Sequence, residues 1–254
     1  MNRLDNLINY LLSERNDLGN IAIPEIEQDK FRLYRSLVNI RPAWEADESF
    51  LQAEDEYLTS MTESKGITDI ADLSLIEDGI YLWQGDITTL KCDAIVNAAN
   101  SGMTGCWQPC HSCIDNCIHT FAGVRLPYEC GQIMEKQGHE EPTGKAKITQ
   151  AYNLPCGYVI HTVGPIVDGI LTYEHCRLLE SSYQSCLELA VQNGIDSIAF
   201  CCISTGVFGF PQDKAAEIAV RTVRKFRTTH DIQVIFNVFR EDDHEIYKEL
   251  LGRD

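Results

Sequence analysis

The sequence of 254 residues has few positive charges and no long apolar run. It contains 21 Lys and Arg residues against 38 Asp and Glu residues, which gives a formal net charge of −17. A field of this sign repels nucleic-acid phosphates, so we predict no DNA or RNA partner. Because no stretch of about 18 consecutive apolar residues occurs, we also predict no membrane span.

The sequence shows no sign of secretion and no internal repeat. Residues 1–5 mix both signs of charge, and no apolar run with a small-residue cleavage site follows them, so we expect a cytoplasmic protein. The eleven cysteines are therefore expected to be free thiols. Most of them, including Cys186, Cys201 and Cys202, should pack as small hydrophobes.

The first third of the chain has helical patterns only. Leucine and isoleucine at positions 4, 7, 8, 11 and 12 predict an amphipathic helix over residues 4–13. Two more helices are predicted, one after Pro24 and one around residues 50–59, and no strand is expected before residue 76. We interpret residues 1–77 as a helical N-terminal extension packed on a core domain, with a docking surface for a partner protein as the alternative.

From residue 78 strand-like and helical patterns alternate. Strands are predicted at residues 79–83, 94–97, 148–154, 158–162, 197–203 and 233–238, and helices at 176–193, 212–227 and 242–251. Apolar strands that alternate with helices favour an α/β domain with a largely parallel sheet over residues 78–254. In such sheets ligands bind outside the carboxyl ends of the strands.

A thiol-rich run at residues 105–119 is the densest cluster of reactive side chains. Cys106, His111 and Cys113 have the spacing Cys-x4-His-x-Cys. These ligand types suit zinc, and three protein ligands leave a fourth position for water or substrate. Cys110 and Cys117 compete as ligands, and the second CxxC pair of a zinc finger is missing. Buried or reactive thiols are the alternative.

Asp115 follows two residues after Cys113, close to any metal there. Its carboxylate is a candidate general base, or a group that orients metal-bound water. The alternative, which is compatible with this role, is that Asp115 is the N-cap of a helix that begins at Asn116. His161 lies within a predicted strand, where we expect a core histidine with its hydrogen bonds satisfied.

Three other loops follow predicted strands. Ser204–Gly209 contains two glycines before a helix, so its backbone N–H groups either bind a phosphate or form a plain turn. Asp86 either caps the turn that follows it or accepts a hydrogen bond from an adenine amino group. Asn97 and Asn100 are either turn formers or side chains that orient a ribose hydroxyl or a water molecule.

In combination these motifs resemble the macrodomain family over about residues 78–254. The matching motifs are G-D-I-T at 85–88, D-A-I-V-N-A-A-N at 93–100, I-H at 118–119 and I-S-T-G-V-F-G-F-P at 203–211. The resemblance implies a three-layer α/β/α sandwich that binds ADP-ribose. Residues 106–113 stand where other members have a glycine run. Together with residues 65–70, they resemble the zinc-containing protein-ADP-ribose hydrolases found with a distinct class of bacterial and fungal sirtuins.

The resemblance also implies roles for individual residues. Cys106, His111 and Cys113 would bind Zn²⁺, and Asn100 and Asp115 would be catalytic. The implied substrate-binding residues are Asp86, Ile87, Asn100, Asp115, Asn116, Ser204, Thr205, Gly206, Val207, Phe208, Gly209 and Phe210. Asp86 and Ile87 would contact the adenine, and residues 204–210 would surround the phosphates and the distal ribose.

The function expected from this resemblance is zinc-dependent, glycosidase-type removal of mono-ADP-ribose from acidic side chains of a modified protein. By analogy the partner is a lipoyl-carrier protein of the glycine-cleavage (H-like) type. The alternative is a reader module that binds ADP-ribose with a structural zinc and no hydrolase activity. An RNA or poly(ADP-ribose) binder is disfavoured by the charge and by the lack of interleaved aromatic and basic residues.

Overall fold

Helices form the first part of the chain and alternate with strands afterwards. A computed structural model describes residues 2–19 and 21–252, and Met1, Asn20, Arg253 and Asp254 of the predicted extension and domain lie outside the described residues. The described α-helices are α1 (Arg3–Ser13), α2 (Glu27–Asn39), α3 (Glu48–Lys65), α4 (Ile114–Ala122), α5 (Arg125–Gln137), α6 (Tyr173–Gln192), α7 (Gln212–Arg227) and α8 (Glu241–Leu251). The described strands are β1 (Thr68–Asp69), β2 (Leu75–Glu77), β3 (Ile80–Gln84), β4 (Leu90–Lys91), β5 (Ala94–Ala99), β6 (Ala146–Gln150), β7 (Tyr158–Val163), β8 (Ser197–Phe200) and β9 (Gln233–Val238).

Seven strands form one sheet in the order β2-β3-β9-β8-β5-β7-β6. The five inner strands are parallel, whereas β2 and β6 run antiparallel to β3 and β7 at the two edges. The prediction of a largely parallel sheet is confirmed. Because β3, β9, β8 and β5 are neighbours and run in the same direction, the loops after their carboxyl ends lie together at one edge.

Helices flank the sheet in two groups, which completes the expected three-layer sandwich. Helices α6, α7 and α8 contact one another in chain order, and α4 and α5 form a second group against β5 and β6. The inner strands are apolar because both of their faces are covered, as Ile95, Val96 and Ile198 show by being fully buried. None of the helices in the described ranges has the length and apolar character of a membrane span. All eleven cysteines are free, as expected.

The N-terminal extension has an apolar core of its own. Helix α1 buries Leu4, Leu7, Ile8 and Leu11, which are four of the five members of the predicted stripe, and Leu12 is half-buried. This second core also contains Val124, which lies between α4 and α5 of the sandwich. The extension is therefore packed against the junction of these two helices.

The expectation that no strand precedes residue 76 is wrong. Strand β1 pairs in parallel with β4, and β2, which starts at Leu75, pairs with β3. Two- and three-residue strands are too short to show a period of two, so the sequence pattern could not indicate them. The predicted domain boundary at 77/78 falls between the paired strands β2 and β3.

Two predicted strands have shifted bounds, and one helix was not predicted. Strand β6 begins two residues before the predicted 148 and ends at Gln150, four residues before the predicted 154. Strand β8 ends at Phe200, three residues before the predicted 203, and the loop that follows it contains Ser204 in a left-handed conformation (φ 67°). Helix α5 contains Pro127 and Gly131, two residues that weaken any helical pattern.

Candidate functional site

A cleft of about 770 Å³ opens at the carboxyl edge of the sheet. Its walls are the turn after β3, the β5–α4 loop, the β8–α7 loop and the residues after β9. The predicted site residues that line it are Asp86, Ile87, Asn100, Cys106, His111, Cys113, Asp115, Ser204, Thr205, Gly206, Val207 and Phe208. Residues from four separate motifs therefore face one space.

The carboxylate of Asp115 is held by two asparagine amides. Asn97 Nδ2 donates to Asp115 Oδ1 at 2.7 Å, and Asn100 Nδ2 donates to Oδ2 at 3.1 Å. Burial raises the pKa of Asp115, although the nearby His119 and the two amide donors oppose this shift. A carboxylate with a raised pKa at the wall of a cleft is suited to accept a proton.

The alternative prediction that Asp115 caps a helix starting at Asn116 is wrong. Helix α4 begins at Ile114, and its N-cap is Cys113, whose Sγ accepts from the Asn116 N–H at 3.5 Å. Asp115 is the second residue of the helix, and its side chain bonds to the asparagines of strand β5 and the loop after it. The helix backbone therefore leaves this carboxylate available to the cleft.

Two buried histidines lie behind Asp115. His161 is a satisfied core histidine, as predicted, because Nδ1 lies 3.1 Å from Asn97 Nδ2 and Nε2 lies 2.9 Å from Thr149 Oγ1. His119 Nε2 lies 3.4 Å from Asp115 Oδ1, and burial lowers the pKa of both rings. Asn97 is fully buried, so its amide positions Asp115 and does not meet a ligand.

The donor atoms of Cys106, His111 and Cys113 lie within 4.8 Å of one another at the cleft wall. Cys106 Sγ and His111 Nδ1 are 3.7 Å apart. The other two thiols of this run have different neighbours: Cys110 Sγ lies 3.2 Å from Ser36 Oγ, and Cys117 Sγ accepts from Arg35 at 3.5 Å. The geometry thus favours the three-ligand set over sets that contain Cys110 or Cys117.

This donor set fits zinc. Two sulfurs and one imidazole are ligands that Zn²⁺ prefers, and three protein ligands are typical of a site with an open position. Burial, together with the Cys106 sulfur beside it, raises the pKa of Cys113 to about 12. A divalent cation would favour the thiolate forms of both cysteines, because it offsets their mutual repulsion.

The loop after β8 lines the cleft with residues 204–208. Its shape is set by left-handed conformations at Ser204 (φ 67°) and Gly209 (φ 68°), and it is closed by a bond of 3.0 Å from Phe210 N–H to Ser204 O. The amide groups of residues 206–208 find no acceptor within the described ranges. Three consecutive free N–H groups can bind an anion without a positive side chain.

Asp86 caps the turn that follows it, which is one of the two roles that the sequence left open. Its Oδ1 accepts from the Thr88 amide at 3.0 Å and so caps a short turn, while Oδ2 lies 3.2 Å from Lys65 Nζ. Burial opposes ionisation of Asp86, but the Thr88 donors and the Lys65 ammonium outweigh it and lower the pKa. The residue also lines the cleft next to Ile87, where a ligand can reach it.

Three residues expected at the substrate are not among those that line the cleft: Asn116, Gly209 and Phe210. Asn116 is fully buried, and its Nδ2 donates to Cys106 O at 3.3 Å and to Gln108 O at 3.0 Å. We therefore correct its assignment from substrate contact to support of the thiol-rich loop. Phe210 is 2% exposed and belongs to the main core beneath its loop.

The cleft also contains residues that sequence reasoning missed. Phe239 and Arg240 line it directly after β9, and Trp107 and Gln108 line it beside Cys106. Phe239 presents a ring that is 76% exposed. No sequence motif marks the end of β9. The residues after it can be assigned to the cleft only from the position of β9 between β3 and β8 in the parallel sheet. Trp107 lay within the thiol-rich run and carried no predicted role.

Comparisons with known proteins agree with this geometry. The family model described as Macro domain matches residues 96–219. A protein-ADP-ribose hydrolase of Treponema medium is 57% identical over 252 residues, which is 97% of each chain. A protein-ADP-ribose hydrolase of Staphylococcus aureus (strain MSSA476) is 50% identical and covers 99% of this chain and 96% of its own. A solved Trypanosoma brucei macrodomain in complex with ADP-ribose is 30% identical with a TM-score of 0.67, over 86% of this chain and 95% of that one.

Proposed function

The chain belongs to the macrodomain family, and on this premise we propose that it removes ADP-ribose from ADP-ribosylated protein by hydrolysis. Two relatives named protein-ADP-ribose hydrolase align with nearly the whole chain, including every wall of the cleft. One observation carries the proposal. The Asp115 carboxylate, the Asn100 side chain and the Cys106–His111–Cys113 group face the same cleft.

We assign the parts of ADP-ribose along the cleft from the chemistry of its walls. The turn at Asp86 and Ile87 would hold the adenine, because a carboxylate accepts from its amino group and an aliphatic side chain covers its face. The free amides of residues 206–208 would bind the diphosphate. The distal ribose would then reach Asn100 and Asp115. A volume of about 770 Å³ suits a ligand of this size.

The reaction assigned to the distal ribose is hydrolysis of an ester to an Asp or Glu side chain. The bond between the anomeric carbon and the carboxylate oxygen breaks, and the protein carboxylate leaves. Water supplies the hydroxyl that joins the anomeric carbon, and Asp115 accepts its proton. General-base assistance of this kind contributes about 10²- to 10⁴-fold to a rate. Asn100 would orient a ribose hydroxyl while it holds Asp115 Oδ2.

The zinc belongs to the same proposal. Cys106, His111 and Cys113 would hold the ion, and Zn²⁺ bound there would supply Lewis-acid chemistry at the cleft. The donor geometry and the subclass resemblance of the thiol-rich run support this assignment. The same resemblance supports the choice of acidic linkages and of a lipoyl-carrier protein as the modified partner.

The proposal is tested by metal analysis of the purified protein together with a release assay. Substrates carry ADP-ribose on Asp/Glu or on Ser, and an ADP-ribosylated lipoyl-carrier protein is included. We expect about one zinc per chain, release from the acidic linkages, and loss of release after chelation. Tight ADP-ribose binding without release from any substrate would make the protein a reader. Full activity in metal-free protein would refute the catalytic zinc, and release from Ser alone would refute the assigned linkage.

A further inference from the structure

We propose that Arg35, in helix α2 of the N-terminal extension, is a positioning residue for the metal loop, which we define as residues 106–113. In this role Arg35 sets the affinity of the loop for its metal. The inference rests on the proposed zinc site and gives the helical extension a part in it. It concerns a residue that lies more than 70 positions from the ligands in sequence.

One face of α2 lies against the metal loop and the start of α4. Residues 32, 35, 36 and 39 share this face, since they are three, four and seven positions apart. Arg35 Nη2 donates to the backbone carbonyl of His111 at 2.7 Å, and Nε and Nη2 donate to Asn116 Oδ1 at 3.0 and 2.7 Å. A single guanidinium thus holds the backbone of one ligand and a second side chain.

That second side chain extends the contact to the other end of the loop. Asn116 uses its Oδ1 for Arg35, and its Nδ2 donates to Cys106 O and Gln108 O. Arg35 therefore fixes His111 directly and fixes Cys106 through Asn116. Two of the three metal ligands depend on the same guanidinium for their backbone positions.

The loop needs such support because it contains a strained residue. Cys110 has φ 55°, a left-handed conformation that is unfavourable for a residue with a side chain. Asn39 Oδ1 holds this turn by accepting from the Cys110 N–H at 2.9 Å, and Arg32 O accepts from Cys110 Sγ at 3.3 Å. All of these contacts come from α2. Without them the loop would relax and separate its three donor atoms.

Loss of an outer partner of a metal ligand typically weakens metal binding about 10- to 100-fold. We expect a loss in this range for Arg35→Met, which keeps most of the apolar stem and removes every donor. Arg35→Lys should give a smaller loss. One ammonium can reach His111 O or Asn116 Oδ1, but it cannot reproduce the planar fork. Arg32→Met is the matched control, because this residue is exposed and its hydrogen bond to the loop uses the backbone carbonyl, which the substitution keeps.

The test measures the zinc dissociation constant of the full chain by competition with a chromophoric chelator. Absorption of the Co²⁺-substituted protein reports the geometry of the thiolate ligands. Thermal unfolding in the presence of EDTA shows whether each variant folds without metal. We expect the dissociation constant to rise about 10- to 100-fold in Arg35→Met, less in Arg35→Lys and not at all in Arg32→Met. Hydrolysis by Arg35→Met should recover its full rate when free zinc is raised.

Different results overturn different statements. Equal zinc affinity in Arg35→Met and the parent chain would refute the positioning role and leave the zinc proposal intact. A parent chain that binds no zinc would refute both. An unchanged Co²⁺ spectrum together with an equal loss of unfolding temperature with and without metal would show that Arg35 only stabilises the fold. If Arg35→Met fails to fold, Arg35→Lys decides the matter by the same measurements.

Discussion

Glu54 gives the molecule a pH-dependent stability that one substitution should remove. This residue of α3 is fully buried between the extension and the sandwich. Its Oε1 accepts from the Tyr34 hydroxyl at 2.6 Å, and its Oε2 accepts from the Val124 N–H at 2.9 Å. Burial raises the pKa of Glu54 from 4.5 to about 7, and the two donors only partly oppose it.

The direction and size of the effect follow from this pKa. Because the folded-state pKa lies above the unfolded one, the folded chain holds a proton that the unfolded chain releases between pH 4.5 and 7. The contribution of Glu54 to the free energy of unfolding is therefore fully present below pH 4.5 and is lost as the pH rises through about 7. At about 1.4 kcal/mol for each pKa unit, the loss amounts to about 3 kcal/mol. For a chain of this size it corresponds to about 6–12 °C in Tm.

Glu54→Gln mimics the protonated side chain and cannot ionise. We expect the variant to have nearly the same Tm as the parent at pH 5. At pH 8 its Tm should be higher than that of the parent by most of the ~6–12 °C given above. The measurement is the difference in Tm between the two proteins at each pH, in one buffer series with a fixed metal content. This difference cancels the titration of all other groups. Glu56→Gln is the control, since this carboxylate on the same helix is half-exposed and pairs with Arg3. A parent–variant difference that does not change between pH 5 and 8 would refute the reasoning.

Three further predictions concern the cleft. Asp115→Asn and Asn100→Ala should each lower the rate of ADP-ribose release at least about 100-fold, while ADP-ribose binding, measured by calorimetry, stays within a few-fold of the parent. Normal turnover in both variants would show that neither residue takes part in the reaction. Cys106→Ser should lose zinc in metal analysis, whereas Cys110→Ser should keep it, because Cys110 Sγ faces Ser36 and not the other donors; equal zinc in the two variants would contradict the ligand set. Gly209→Ala should weaken ADP-ribose binding, because φ is 68° at this position and the added Cβ would lie 2.9 Å from Val167 O, which strains the loop by about 1 kcal/mol or more. Unchanged binding would show that the loop after β8 is not the phosphate site.

The sequence predicted the elements whose signal is local. The apolar stripe of α1 has the helical period of 3.6, and the continuous apolar runs of β5, β7 and β9 reflect burial on both faces of the sheet. The ends of the parallel strands then locate the site, because chain direction places those loops at one edge. For this reason the loop that carries Asn100 and the loop after β8 are expected at one cleft, whereas the predicted role of Asp115 rests on its proximity to Cys113 and on the family resemblance.

The features that the sequence patterns did not predict depend on contacts between distant parts of the chain. The family resemblance places Asn116 at the substrate, yet one helical step of about 100° from Asp115 turns its side chain toward Arg35. No pattern could indicate that Arg35 would meet a residue 81 positions away. The short strand β1 likewise exists only through its pairing with β4. Such features depend on how distant elements pack together, and neither hydrophobic periodicity nor residue propensity carries that information.

An acidic chain can bind an anionic ligand because binding depends on the local field and not on the net charge. Charges more than about 8 Å from the ligand are largely screened at physiological ionic strength. At the wall of the cleft Asp86 is paired with Lys65, and the amides of residues 206–208 can supply positive dipoles without adding charge. A polynucleotide would instead lie across many exposed carboxylates outside the cleft. The charge of −17 therefore disfavours a long polyanion and still permits a single diphosphate.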